Sequence, residues 1–581
     1  MKFDQEKPKI LIQEHQAAFH DTGELINPAA IEGLSPLINT QPLEMDTTTV
    51  LNVTRANPLK KTGNGDYVTG SGGVERALVQ ATITEDGTLA MNSYSNSEHV
   101  DKTRENPRGT LFSVETIDKR DVTQLGLTEH QEPINHHITE LRISPEQFKG
   151  FRKASIVPWW VHHGSEFQQQ LSEDLTQSRA TGVKFSESVR GYLHVGTDLV
   201  RGIQQMPLLP ERVVIHDPYY FPTLASKLEE QLPEVQRFGV NHIPFASPKD
   251  LETMFNIVSP TQGDRLASFY MQNWMQFDVI SMHSVEDAEN FRESAREFCP
   301  NTPLLTELRV NPLGVAIEEI EHTADSITTE EEMTLLDLVV KHADHIDTPE
   351  QLEGLILGAS IGYRSDPIKR IPKLEATIDT LLQMRPDLIG KFTYVQQIRP
   401  HRTDDFISYK QEYDEIVQGA HTLNVKYVTQ YKERTGNASG WQPFILMQGE
   451  LQNPQVIKLQ RALSNRAKQM LNIVLSKEGM NLAGQEGFFA SGRSDYRLIT
   501  TRDSGLGRYL SRRGISTLTE NQENAPVEQL AQRVNSAIMM PTDKAIALNQ
   551  RTRQALEDID AQHWAKRLHQ PKNVIFDISS T

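Results

Sequence analysis

From residue 156 onward the chain alternates short apolar runs with helical segments. RVVIHD (212–217), FGVNHIPF (238–245) and FDVISMH (277–283) read as buried strands, and PTLASKLEEQL (222–232) and SVEDAENFRESAREF as helices. After an acidic stretch, IEEIEHTADSITTEEEM, the alternation resumes with GLILGASIGY (354–363), KFTYVQQI (391–398), NIVLS (472–476) and YRLIT (496–500). Strands alternating with helices of about 10–15 residues predict parallel α/β layers. Two such halves, joined near 316–350, predict two Rossmann-like domains facing a cleft, with the acidic stretch as a solvated linker face. Upstream, TTTVLNVTRANP (47–58) is β-rich, and a Gly-rich loop (63–73) leads into a predicted helix, VERALVQA. The polar stretch 82–135 predicts strands and loops. The expected division is an N-terminal extension (1–46), a first domain with insertions (47–345), a second domain (346–555) and a C-terminal helix and tail (556–581). There is no short-period repeat, which argues against a solenoid.

Composition narrows the function classes. The 581 residues carry 59 Lys plus Arg against 77 Asp plus Glu, a net charge of −18. Such an acidic chain is a poor general binder of nucleic acid or anionic membrane, so an anionic ligand needs a local basic pocket. The single cysteine, Cys299, excludes an internal disulfide framework and a multi-Cys zinc site. No apolar run approaches the ~18 residues of a membrane span. MKFDQEKPKI carries no signal-peptide apolar region, so a cytoplasmic protein is the expectation. His136-His137, His162-His163 and the His342/His345 pair lack the companions of a metal site.

In open α/β sheets, ligands collect beyond the carboxyl ends of strands. Polar residues just past each predicted strand are therefore the candidates. After NIVLS come Glu478, Gly479, Met480, Asn481 and Leu482, then Glu486. A Gly at the mouth of a helix lets backbone N–H groups approach an anion, and Glu486, two turns from Glu478, is placed to hold ribose hydroxyls. The same residues also fit an ordinary glycine turn with a surface Glu. After GLILGASIGY, Arg364 and Lys369 put two cations at a strand end, a fork and a compact charge suited to a diphosphate, or to helix C-termini. Asp217 and His242 end two strands of one predicted sheet and suit sugar hydroxyls or proton handling. Arg55 and Arg402 also follow predicted strands and, taken separately, read as structural, while the Gly70–Gly73 loop repeats the loop-then-helix anion design without fitting the G-x-G-x-x-G pattern.

Together these segments resemble the trehalose-6-phosphate synthase family of retaining glycosyltransferases. The family's R-L-D-Y-T-K-G-I-P is similar to Arg364–Pro372 here, its V-H-D-Y-H-L to Ile215–Tyr220, and its H-I-P-F-P to His242–Ala246. Its D-G-M-N-L-V-A-K-E resembles Glu478–Glu486, its P-S-R-T-D Pro400–Asp404, and its N-R Thr54-Arg55. Its glycine pair falls at Gly72-Gly73, and its terminal D-x-x-x-W-A at Asp560–Ala565. The resemblance runs from about 47 to 568. It implies a GT-B architecture with a C-terminal helix crossing back to the first domain. It also implies a nucleotide diphosphate sugar as substrate, UDP-glucose or GDP-glucose, and a phosphorylated acceptor, with no cofactor or metal. Arg364 and Lys369 would bind the diphosphate. Glu478, Gly479, Met480, Asn481, Leu482 and Gly73 would hold donor phosphate and sugar, and Glu486 the ribose. His242 would meet the donor sugar, Asp217 the reacting acceptor, and Arg55 and Arg402 the acceptor phosphate. A homo-oligomer is compatible with this reading.

The chain departs from the family pattern mainly on the acceptor side. Val157 replaces the tryptophan of L-W-P, Phe148 an upstream tyrosine, and Pro218 and Tyr219 a Tyr-His pair. A third aromatic position falls near Met91, and the donor-side aspartate has become Glu478. Losing hydrogen-bonding groups changes specificity strongly. Two alternatives to trehalose-6-phosphate-type synthesis therefore stand: a pseudoglycosyltransferase coupling cyclitols, and a non-catalytic regulatory subunit that binds nucleotide or sugar phosphate, with 82–135 and 425–445 as partner-binding insertions.

Overall fold

The computed structural model describes residues 50–54, 59–61, 67–69, 89–94, 111–117, 136–142, 154–164, 167–180, 185–204, 209–404, 406–437, 439–476, 479–502, 504–515, 526–561, 563, 564 and 567. The predicted strands are present, with shifted ends. The first sheet contains β1 (Val50–Thr54), β4 (Leu89–Tyr94), β5 (Leu111–Ile117), β6 (His136–Arg142), β7 (Arg212–His216), β8 (Gln236–Val240), β9 (Val279–Met282) and β10 (Glu307–Val310). A separate antiparallel pair joins β2 (Leu59–Lys61) to β3 (Tyr67–Thr69). The first sheet runs in the order β10-β9-β8-β7-β1-β4-β6-β5, and only β5 is antiparallel to its neighbour. β4 and β5 come from the stretch 82–135, so part of it builds the sheet rather than decorating it.

The second sheet is all parallel: β11 (Ile356–Arg364), β12 (Phe392–Arg399), β13 (Phe444–Gln448), β14 (Gln469–Val474) and β15 (Arg497–Thr500), in the order β13-β12-β11-β14-β15. Its central strands are buried over almost their whole length, and β12 is buried from Phe392 through Ile398. Helices cover both faces, and the polar Thr393, Gln396 and Gln397 within this strand are buried with hydrogen bonds of their own. β13 (FILMQ), at one edge of the sheet, was not predicted.

The helices start where the sequence supplies caps. Ser284 accepts the Asp287 N–H at the head of Val285–Phe298, and Ser247 does the same for Asp250 ahead of Pro248–Val258. The acidic stretch is not a solvated linker. It forms two amphipathic helices, Ile317–Asp325 and Thr329–Lys341, the second opened by a capping box between Thr328 and Glu331. Their apolar faces, with Val315, Ile320, Leu336 and Val339, belong to the second core. The stretch 425–445 is built into the second domain. Its first part completes the helix Ile407–Thr435, which Gly436 ends in the left-handed region (φ 75°), and its last residues open β13.

The first core gathers Trp160, Phe245, Trp274 and Phe291, and the second Tyr394, Phe444, Leu471 and Trp441. Among the described residues, two passages join them. The outgoing chain runs through 311–316. The returning segment, 559–564, crosses it where a Cβ on Gly314 would overlap the Ile559 carbonyl oxygen. The return continues onto the first sheet, where Trp564 is fully buried against Val214, Phe238, Val240 and Val279. Its carbonyl accepts from Asn311 Nδ2 at 3.2 Å. No helix among the described residues is long and apolar enough to cross a membrane.

Candidate functional site

The carboxyl ends of β7, β8 and β9 carry Asp217, the loop 241–246 and His283. Asp217 takes a left-handed backbone (φ 52°) directly after β7. Its N–H donates to the Val240 carbonyl at 2.7 Å, and its Oδ1 accepts the His242 N–H at 2.9 Å. The two residues expected to converge are thus hydrogen-bonded. FGVNHIPF is not strand to its end. It leaves the sheet after Val240, because Asn241 Nδ2 turns to bond the Ile243 carbonyl (2.6 Å) and Pro244 has no N–H to give. The loop is then fixed from outside. The Phe245 N–H donates to Asp287 Oδ1 (3.0 Å), and its carbonyl accepts from Asn290 (2.8 Å).

Three buried histidines meet here. His216 Nδ1 lies 2.9 Å from His242 Nε2, with the rings 5.2 Å apart and parallel to within 6°. His283 accepts the Leu313 N–H on Nδ1 (3.1 Å) and hydrogen-bonds the His242 backbone. Burial, then neighbouring His216 and His283, hold His242 well below the usual imidazole range. Burial likewise brings His283 down to about 3. The returning Trp564 walls off the pair, its ring 6.2 Å from His216 and 6.0 Å from His242.

The second sheet contributes the other side. Arg364 ends β11, and Lys369 ends the short turn Pro367–Lys369, its Nζ 4.7 Å from the centre of the Tyr363 ring. The neighbouring Arg370 (φ 53°) reaches the Leu475 carbonyl at 3.4 Å, tying this turn to the loop after β14. That loop leads through Gly479 and Met480 to Asn481 (φ 44°), whose side chain accepts the Gly484 N–H (2.8 Å) and caps the helix Leu482–Ser491. Glu486 is buried within it. At Gly479 the domains touch: a Cβ there would sit 2.6 Å from the His242 carbonyl oxygen and 3.1 Å from His283 Cδ2.

Arg402 lies in the loop after β12, with φ 54°. It is buried, and its Nη1 has no hydrogen-bond partner among the described residues. An orphaned buried guanidinium nitrogen is costly and suits a site that an anion completes. The His401 N–H donates to Ser365 Oγ (3.1 Å), so the Arg402 loop and the Arg364 turn are tied by a hydrogen bond. Both are pressed on the first domain. Ile368 and Tyr409 join its core, Tyr409 packs edge-on against Trp160, and Ser408 Oγ donates to the Asp174 carboxylate at 2.5 Å.

The structure therefore joins Asp217, His242 and Gly479 at one junction and sets Arg364, Lys369 and Arg402 on linked loops. Arg55, Gly73, Glu478 and Phe148 lie outside the described residues. Val157 is buried in the helix Ile156–His163. Sequence reasoning passed over His283, Tyr409 and the part played by His216. The signal for His283 was present, since it closes FDVISMH as Asp217 closes RVVIH. Tyr409 sits inside a helix and gives no such signal.

No family model matches the chain. One curated protein, the UDP-forming alpha,alpha-trehalose-phosphate synthase A of Dictyostelium discoideum, is 23% identical over 361 residues, 61% of this chain. The chain resembles the trehalose-phosphate synthases. The match takes in only 43% of that relative, so the chain spans under half its length. Among solved structures, a UDP-forming alpha,alpha-trehalose-phosphate synthase from Burkholderia xenovorans, in complex with glucose-6-phosphate, superposes with a TM-score of 0.62 at 15% identity, over 89% of this chain and 98% of that one. The N-terminal domain of a Candida albicans trehalose-6-phosphate phosphatase gives 0.63 at 15%, over 92% and 97%. The architecture is that of the GT-B trehalose-phosphate synthases, two Rossmann-like domains facing a cleft.

Proposed function

We propose that the chain transfers a hexose from a nucleotide diphosphate sugar to a phosphorylated sugar or polyol, with retention, in the manner of a trehalose-6-phosphate synthase. The observation that carries this reading is the junction itself. Strand ends from both sheets deliver Asp217 and His242 against the turn at Gly479, on the carboxyl edge where α/β folds bind ligands. In this reading Arg364 and Lys369 take the charge growing on the leaving diphosphate, and the N–H groups of 479–482 and Gly73 cradle it. Glu478 and Glu486 hold the donor sugar and ribose. His242 contacts the donor sugar and Asp217 the acceptor, while Arg402 and Arg55 clamp the acceptor phosphate. The bond from the sugar to the diphosphate breaks. The acceptor oxygen bonds the same face, and its proton passes to the departing phosphate oxygen. UDP is the favoured nucleotide, since the Dictyostelium and Burkholderia xenovorans synthases that this chain is similar to are named as UDP-forming.

Calorimetry with UDP, GDP and ADP tests the donor site. Arg364→Ala and Lys369→Ala should each weaken the best binder by about 1.5–3 kcal/mol, the worth of a charged hydrogen bond. Unchanged affinity in both variants would remove the donor argument. Mass spectrometry of products from a panel of phosphorylated sugars, polyols and cyclitols then separates synthase from pseudoglycosyltransferase. A non-catalytic reading has one observation in its favour, the same fold in a domain of a phosphatase. Nucleotide binding without turnover on any acceptor would select it.

A further inference from the structure

We propose that His216 is a positioning residue that holds His242 in one tautomer, so that His242 Nδ1 meets the donor sugar with fixed hydrogen-bonding character. This rests on the reading of the cleft as a sugar-nucleotide site. Every other polar atom of His242 is committed. Its N–H donates to Asp217 Oδ1 at 2.9 Å. Its Nε2 pairs with His216 Nδ1 at 2.9 Å. Its backbone is bonded by His283, whose own tautomer follows from geometry: Nδ1 accepts the Leu313 N–H, so the proton sits on Nε2 and donates to the His242 carbonyl. His242 Nδ1 alone is buried without a hydrogen-bond partner among the described residues.

A neutral imidazole has one donor and one acceptor nitrogen. Once His216 commits Nε2 to one role, Nδ1 takes the other. The two rings meet edge to edge and are buried, His216 2% and His242 7% exposed, with Trp564 beside them. No solvent molecule therefore competes for the Nε2 bond, and the choice of tautomer passes from water to His216. A site that meets a sugar hydroxyl with a fixed donor or acceptor discriminates against sugars lacking the complementary group.

Neutron diffraction on deuterium-exchanged crystals of the whole chain should show deuterium on only one ring nitrogen of His242. Occupancy split between both nitrogens would overturn the proposal. The second readout compares UDP with UDP-glucose, because the difference isolates the sugar contact. In His216→Phe, UDP should bind as in the wild type, while the advantage of UDP-glucose falls by about 3- to 10-fold, the worth of one hydrogen bond. His216→Asn, with an amide near the Nδ1 position, should restore most of it. An undiminished advantage in the phenylalanine variant refutes the role. Should that variant not fold, the deuterium positions decide alone. They also decide if UDP fails to bind the wild type, an outcome that counts against the proposed function and not against the tautomer.

Discussion

Gly479→Ala probes the junction with a single methyl group. The added Cβ would lie 2.6 Å from the His242 carbonyl oxygen, about 0.8 Å inside the 3.4 Å at which ordinary contact begins. The obstacle is backbone, and it cannot retreat freely: His283 holds that carbonyl, and Asp217 holds the N–H of the same residue. Behind the turn, a Cβ on Gly505 would meet the Gly479 carbonyl at 2.6 Å, so the turn has no room to back away. Overpacking of this kind costs about 1–3 kcal/mol. Placed at the domain contact, that corresponds to about a 5- to 150-fold change in an equilibrium. Amide hydrogen exchange across 241–246 reads it locally, and protection of the His242 N–H should fall by that factor. UDP affinity, measured in parallel, should weaken. Wild-type exchange together with wild-type UDP affinity would refute the claim that the domains meet at Gly479.

Arg402→Ala should raise KM for a phosphorylated acceptor by about 10- to 150-fold, matching a charged hydrogen bond of about 1.5–3 kcal/mol, and leave UDP binding alone. Equal effects on both ligands would show general damage. Burial, then Glu415 and Glu412, raise Glu375 to about 9, so its folded state prefers the proton. The stability it contributes is full below the unfolded value near 4.5 and drains away as pH rises through about 9. Glu375→Gln should therefore gain on the wild type in urea midpoint between pH 5 and pH 9, and a constant gap would exclude the mechanism. Trp564→Ala should cost about 3–5 kcal/mol in urea unfolding, as for other large buried aromatics. A loss under 1 kcal/mol would mean the return segment is not fixed to the first sheet.

The parallel strands were legible because burial on both faces writes them as short, mostly apolar runs between helical segments. RVVIH, LGASI and YVQQI needed no tertiary information. The ends were less so. FGVNHIPF stays apolar past the point where it leaves the sheet, since HIPF packs as a loop and the Asn241 turn has no periodicity of its own. The acidic stretch misled because its charges dominate the composition, although Ile317, Ile320 and Ala324 form a stripe at helical spacing. In the site, Asp217 and His242 could be found one strand at a time. The histidine pair, the Arg402–Arg364 linkage and the burial of Tyr409 in the other domain depend on which strands are neighbours. Single-strand reasoning does not contain that information.

The crossing of Gly314 under Ile559, followed by the burial of Trp564, makes the first domain discontinuous in the chain. On the ribosome, its sheet must wait, with a tryptophan-sized gap beside His216, until more than two hundred further residues of the second domain have been made (311 to 564). Synthesis of the second domain thus precedes completion of the first. A fragment ending before residue 559 should emerge with a finished second sheet and a first sheet open to water at its most buried strands.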